Sequence, residues 1–189
     1  MESKIFRKPQ KFLGPSQFAT VLNLSHFQTP QELKNRIENG MWQTISPAAT
    51  FGINHEAQAL KHYQEVTGFN VTKAKWKTHH HNTRLGGIAD GLVIDSESGK
   101  ISHGVEIKCH PQKTSPLTII PKYYLTQIAG YLDLYQADQW DFVSVAFNGT
   151  DEIYDINIIR ITLDEIKDIW NNDWYPKLCQ FTDSINWAT

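Results

Sequence analysis

One aspartate in an apolar run constrains this chain more than anything else in it. Ile88–Ile94 reads IADGLVI, and Asp90 is its only charged residue. A lone carboxylate buried in an apolar strand costs several kcal/mol unless something binds it. The surrounding stretch, Gly86 to His110, reads as two strands joined by the polar turn Asp95–Lys100. In the second strand Glu106 and Lys108 share one face, while Val105, Ile107 and Cys109 share the other. A half-buried strand with its Glu and Lys in water shows the same alternation, but that reading leaves Asp90 unexplained. A hairpin that sets Asp90 beside Glu106 creates two neighbouring carboxylates with a lysine one step further on. Such carboxylates repel, and each is hard to ionise unless a divalent cation lies between them.

The rest of the sequence sets the frame. With 189 residues and a formal charge of −2, the chain is expected to form one domain over 1–189 with a core of its own. Nothing approaches a transmembrane run, no membrane partner is expected, and the segment MESKIFRKPQKF lacks the apolar centre of a signal peptide. Cys109 and Cys179 are too few for a disulfide framework or a CxxC zinc site. An intracellular location fits, meaning the cytoplasm or nucleus of a host if the gene is viral. The small net charge neither supports nor excludes nucleic acid, because a local strip is enough. Lys4, Arg7, Lys8 and Lys11 make one such strip, or a solvated arm.

Residues 12–68 read as N-terminal helices. Ser16 is placed to cap a short helix carrying Phe18, Val21 and Leu22, and Thr29, Pro30 and Glu32 open a second one. A third helix spans Ser46 to Gly68, with Ala49, Ile53, Ala57 and Leu60 as its apolar stripe, Tyr63 and Val66 nearby, and Glu56 at the stripe's edge. Phe69 to Lys77 reads as a strand. The three histidines that follow, His79–His81, alternate in direction in an extended segment, so they read as a solvated turn or, as the alternative, a phosphate contact. Beyond the hairpin, Lys122–Gln136 buries Leu125, Ile128, Leu132 and Tyr135. Tyr124, Gln127 and Tyr131 form a second row about 100° round the helix, suited to lining a cleft. Two more strands (Trp140–Phe147 and Ile153–Ile161) and a helix over 162–182 complete an α/β fold, a mixed sheet over 69–161 flanked by helices. Ile166, Ile169, Trp170, Trp174 and Leu178 form the apolar side of that last helix.

Asp90 followed by Glu106-Ile107-Lys108 resembles the D…ExK signature of the PD-(D/E)xK nucleases, with Ala89 where the nominal motif has proline. The order GPSQFATVLNLSHFQTPQELKNRIENG resembles the N-terminal block of the lambda-exonuclease-like, or YqaJ-type, viral recombinases. Gly52-Ile53-Asn54-His55-Glu56 is similar to that family's G-x-x-x-E, and Tyr123-Tyr124-Leu125-Thr126-Gln127 to its Y-Y-x-Q-x-Q, with Ala129 in place of the second glutamine. The resemblance covers roughly residues 12–162.

The resemblance implies a restriction-endonuclease-like core and hydrolysis of DNA phosphodiesters with Mg²⁺, for which Mn²⁺ substitutes. Asp90, Glu106, the Ile107 carbonyl and Glu56 would hold the metal, and His55 is a weaker candidate. Lys108 and Gln127 would act on the water or the scissile phosphate. Ser16, Tyr124 and Tyr131 would contact DNA, with Ser16 on a terminal phosphate or serving only as a helix cap. The implied substrate is duplex DNA with free ends, degraded 5′ to 3′. A single-strand annealing protein and a homo-oligomer are the implied partners. Two rivals stand beside this reading: a structure- or site-specific endonuclease on the same fold, and a non-catalytic DNA-binding module.

Overall fold

A computed structural model of the chain describes residues 6–7, 11–41, 43–111, 115–149 and 151–187. Strand β1 (Phe6–Arg7) pairs with the later β2 (Gln43–Thr44). Lys4 and Lys8 of the basic strip, with the Arg7 side chain, lie outside the described residues; Lys11 is exposed.

The turn at Pro15–Gln17 leads into α1 (Phe18–Val21), and here the sequence reading needs correcting. Ser16 is exposed inside the turn and caps nothing; the Gln17 side chain instead accepts the Gly14 N–H at 3.1 Å. Helix α2 (Pro30–Glu38) starts as expected. Thr29 Oγ1 accepts the Glu32 N–H, Glu32 accepts the Thr29 N–H at 2.8 Å, and Leu33 and Ile37 face the core.

Helix α3 (Pro47–Thr67) is capped by Ser46 and closed by Gly68 at φ 74°. Its buried face keeps only Leu60 of the expected stripe, with Tyr63 beside it. Ile53 and Ala57 are exposed, whereas Ala59 and Tyr63 are fully buried and Phe51, Glu56 and Leu60 are half-buried. Phe51 and Tyr63 carry far more apolar surface than two alanines and one isoleucine, and they set the helix's rotation. That rotation turns Glu56 inward.

The chain then contributes β3 (Val71–Thr72), β4 (Lys77–Thr78), β5 (Gly86–Gly87), β6 (Gly91–Ile94) and β7 (Ile101–His110). The expected strand over Phe69–Lys77 is therefore split. The Lys75 carbonyl accepts the Tyr135 hydroxyl at 2.7 Å instead of a ladder N–H, and β4 pairs with β5 outside the main sheet. Helix α4 (Lys122–Tyr135) crosses over to β8 (Gln139–Phe147), parallel to β7, and β9 (Ile153–Thr162) returns antiparallel. The main sheet is mixed, in the order β3-β6-β7-β8-β9.

Two close approaches fix how the layers meet. A Cβ on Gly104 would lie 2.3 Å from the Trp140 ring, and one on Gly130 would lie 2.4 Å from the Phe18 ring. The first glycine lets β7 accept the indole, and the second lets α1 sit directly on α4.

The C-terminal helix is interrupted. α5 (Leu163–Ile169) opens on the Thr162–Glu165 capping box, widens over Trp170–Trp174, and resumes as α6 (Tyr175–Ser184). Pro176 has no N–H to give to the carbonyl four residues back, and the wider turn absorbs that loss. Ile166, Trp170, Trp174 and Leu178 are buried as expected, but Ile169 is 37% exposed. Among the described residues no helix is long and apolar enough to cross a membrane.

Candidate active site

The hairpin register puts the carboxylates together. Gly91 pairs with Val105, so Asp90, one step before β6, arrives beside Glu106 and Ile107 on β7. Asp90 Oδ2 accepts the Ile107 N–H at 2.7 Å. The loop carrying Asp90 is held from α4: Tyr131 Oη donates to the Ile88 carbonyl at 2.8 Å, and the Ala89 N–H donates to Tyr135 Oη at 3.2 Å.

Glu106 is 2% exposed and makes two contacts through one oxygen. Lys108 Nζ and Gln127 Nε2 both donate to Oε1, at 2.5 and 2.7 Å. Its other oxygen, Oε2, is buried with no hydrogen-bond partner. A bare buried carboxylate oxygen is costly, and such atoms need an explanation. Lys108 also sits 4.9 Å from the Tyr124 ring centre, in cation–π geometry.

The electrostatics agree with crowded negative charge. Burial, then the Glu106 and Glu56 charges, hold the Asp90 carboxyl well above the usual range; Lys108 and the Ile107 N–H only partly offset them. Glu56 is raised by burial and by Glu106, with Lys108 and Lys73 pulling it back. Burial pulls the Lys108 ammonium down, but the Glu106 and Asp90 charges outweigh it and leave the net shift upward. Burial, then the Asp90 and Glu56 charges, push the neighbouring Cys109 thiol up to about 12.

Asp90, Glu106, Lys108 and Gln127 thus converge, with Ile107 present through its N–H, Tyr124 beside the lysine and Glu56 within electrostatic reach. Among the described residues no three His, Cys, Asp or Glu side chains stand close enough to hold one ion. The donors are nonetheless those a hard divalent cation takes: neighbouring carboxylates, with one oxygen of Glu106 left bare.

The remaining residues fall elsewhere. Tyr131, expected in the cleft row, is 5% exposed and stacks on Trp140 at 5.3 Å, and its hydroxyl is committed to Ile88. It supports the Asp90 loop from inside the core. Tyr135 does the same work and was legible in the sequence only as an apolar position. His55 stacks on Phe51, and its Nε2 points to Asp151 at 3.4 Å. The histidine run is not a solvated turn throughout: His80 and His81 are exposed, but His79 is 4% exposed. His79 Nδ1 accepts the His81 and Asn82 N–H groups, so its Nε2 carries the proton donated to Asp133 Oδ2 at 2.9 Å.

The sequence reading also missed a second buried polar cluster. Tyr63 Oη donates to Asp141 Oδ2 at 2.6 Å and lies 3.0 Å from His103 Nε2, while Arg160 grips both Asp141 oxygens at 2.6 and 2.8 Å. Asp141 is directly opposite Val105, and its position inside the apolar strand WDFVSVAF was the available signal.

A family model described as YqaJ-like viral recombinase domain matches residues 6–136. No curated protein matches the chain. Among solved structures it is similar to an alkaline exonuclease (LHK-Exo) from Laribacter hongkongensis, at 20% identity and TM-score 0.66, covering 93% of this chain and 88% of that one. It is similar as well to LHK-Exo in complex with dAMP, at 19% identity and TM-score 0.65, covering 92% and 87%. A phage related exonuclease from Haemophilus somnus 129PT matches at 16% identity and TM-score 0.62, covering 91% and 96%. At these identities the likeness is one of fold, and that fold is the expected restriction-endonuclease-like core.

Proposed function

The chain belongs to the YqaJ-like viral recombinase domain family, and from that membership and the site's geometry we propose that it is a divalent-metal-dependent DNA exonuclease. The observation that carries the reading is the bare Oε2 of Glu106, buried beside a second carboxylate whose pKa is raised and a lysine committed to Oε1. Asp90, Glu106 and the Ile107 carbonyl are the groups that would hold Mg²⁺, with Mn²⁺ as substitute. Glu56, which does not stand close enough to make a third side-chain ligand, would act on the cation at longer range. When bound, the cation supplies Lewis-acid polarisation of the phosphoryl group and a lowered pKa for the attacking water.

The chain's own groups do the positioning. Lys108 holds a positive charge at Glu106 and faces the charge that develops on the phosphate. Gln127 fixes the Glu106 carboxylate through Oε1, so that Oε2 is presented in one direction. Tyr124 shields the Lys108 ammonium from water on one side. Ser16, exposed in the turn before α1, is the proposed contact to a terminal phosphate.

The proposed substrate is duplex DNA with free ends, degraded 5′ to 3′ to expose a strand for recombination. A single-strand annealing protein and further copies of the chain are the proposed partners. The dAMP-bound exonuclease of like fold is consistent with a DNA substrate. Release of nucleotides from end-labelled linear duplex, in Mg²⁺ and in EDTA, tests this reading. Metal-dependent loss of the 5′ label first is the expected result. Full activity in EDTA would overturn the mechanism, and equal cutting of a covalently closed circle would make the protein an endonuclease.

A further inference from the structure

From Val66 to Ala89 the chain carries Lys73, Lys75, Lys77 and Arg84 and not one Asp or Glu, although the whole protein is net negative. All four cations are exposed, and so is Lys11, whose carbonyl accepts the Arg84 Nη1 at 3.3 Å. Elsewhere, lysines such as Lys61, Lys167 and Lys177 are paired with acids one helical turn away. Among the described residues, none of these five makes an ion pair. Like charges gathered without counter-ions repel one another, so the strip has an electrostatic appetite for an anion that the fold does not satisfy.

Aromatic surface is interleaved with this charge. Trp76 lies between Lys75 and Lys77, is 42% exposed, and sits against Phe12 with ring centres 4.1 Å apart. Its placement is fixed from below, since a Cβ on Gly86 would lie 2.6 Å from the indole, and Nε1 donates to Thr78 Oγ1 at 2.9 Å. The indole is therefore held on the surface, not folded into the core. At one end, Thr72 pairs with Leu92 in the antiparallel β3–β6 ladder, so Lys73, the next residue, arrives across from Gly91 and the strip begins beside Asp90.

We propose that Lys73, Lys75, Lys77 and Arg84, with the Phe12–Trp76 ring pair, form a track that holds a single-stranded stretch of DNA leading to the Asp90–Glu106 site. The track rests on the nuclease reading for its purpose, though not for its chemistry. Unpaired cations along an exposed segment match a row of phosphates. A fixed, exposed ring offers a stacking platform that only unpaired bases can use, because a duplex keeps its base faces covered. That second feature favours a single strand over a duplex.

The test is anisotropy of a labelled deoxythymidine oligonucleotide, titrated with the full chain in EDTA at several salt concentrations. A Lys73→Ala/Lys75→Ala/Lys77→Ala variant is expected to lower the slope of log affinity against log salt by about 2, from about 0.7 per phosphate contact. Trp76→Ala is expected to weaken the single strand about tenfold or more while changing duplex affinity far less. An unchanged salt slope in the triple variant overturns the track, as does an equal loss for single strand and duplex with Trp76→Ala. Trp76 packs on neighbours, so thermal unfolding is recorded alongside. If that variant does not fold, the triple variant, altered only at exposed side chains, decides the matter. Hydrolysis by the wild-type protein is a separate arm; its absence overturns the nuclease reading and leaves the salt slopes standing.

Discussion

Gln127 Nε2 reaches Glu106 Oε1 at 2.7 Å, and it does so from a helix that lies between the two parallel strands β7 and β8 in sequence. The same oxygen takes the Lys108 ammonium. Two donors on one carboxylate oxygen orient the group and leave the other oxygen bare. Gln127→Ala should therefore lower both metal affinity and nucleotide release by about ten- to a hundredfold, the usual effect of removing a group that orients a ligand. Unchanged turnover in that variant would remove Gln127 from the site.

Tyr131 makes a prediction about rigidity. Tyr131→Phe removes the donor to the Ile88 carbonyl, so stability should fall by about 0.5–1.5 kcal/mol. The Asp90 loop should loosen with it, and turnover should fall without a matching loss of DNA affinity. Urea midpoints and a kcat-against-KM comparison measure this. A loss confined to DNA affinity would return Tyr131 to the cleft.

Ser16 caps no helix, so Ser16→Ala should change stability by no more than about 0.5 kcal/mol. If it contacts a terminal phosphate, the variant should lose preference for 5′-phosphorylated over 5′-hydroxyl ends. Competition between the two substrates decides it, and an unchanged preference would leave Ser16 without a role in end recognition.

The buried Tyr63–His103–Asp141 cluster should make stability depend on acid. Burial lowers the His103 pKa below its ordinary 6.5; Asp141 opposes that shift and Arg160 reinforces it. The unfolded chain then binds a proton more readily than the folded one. The contribution of His103 is complete above pH 6.5 and is lost progressively as pH falls below it. Urea midpoints of wild type should drop between pH 7.5 and pH 5 by more than those of His103→Gln. Equal drops would mean that His103 does not report on this range.

Much of this was legible because local chemistry decided it. Thr29 with Glu32, Thr162 with Glu165, and the Asp95–Lys100 turn each carry their partners within four residues, and each formed as read. Period-two alternation was enough to put Glu106 and Lys108 on one face, and the hairpin then brought Asp90 to them. What failed depended on competition between distant surfaces. The rotation of α3 was set by Phe51 and Tyr63 packing on the sheet, which no window of its own sequence weighs against Ala49, Ile53 and Ala57. His79 was misread because its partner, Asp133, is 54 residues away. Tyr131 and Tyr135 looked like lining and core, whereas their hydroxyls hold the Asp90 loop across more than forty residues.

Lys108→Ala tells the charge proposed to act on the phosphate from the charges proposed to hold the cation. Lys108→Ala should lower nucleotide release on the order of a hundredfold or more while leaving Mg²⁺ affinity equal or slightly higher, since a nearby positive charge is gone. If the variant releases nucleotides at the wild-type rate, Glu106 and Lys108 are not the ExK pair of a nuclease.

Asp90 tests the strain in the metal-free protein. Its carboxyl is raised by burial and by the Glu106 charge, so the folded state holds the proton more tightly than the unfolded chain does. That contribution is present at low pH and is lost as pH rises from the unfolded value through the folded one. Asp90→Asn should therefore stabilise the metal-free protein at neutral pH, or leave it unharmed, and this gain should vanish in acid. Destabilisation by Asp90→Asn at neutral pH would contradict the repulsion between the two carboxylates.

Calorimetric titration of Mg²⁺ into the wild-type protein and Glu106→Gln bears most directly on the site. The wild type should bind the cation, and the variant, which removes a ligand charge at the bare Oε2, should bind it at least tenfold more weakly. Equal Mg²⁺ affinity in the two proteins would contradict a metal site at Asp90 and Glu106, and with it the proposed hydrolysis.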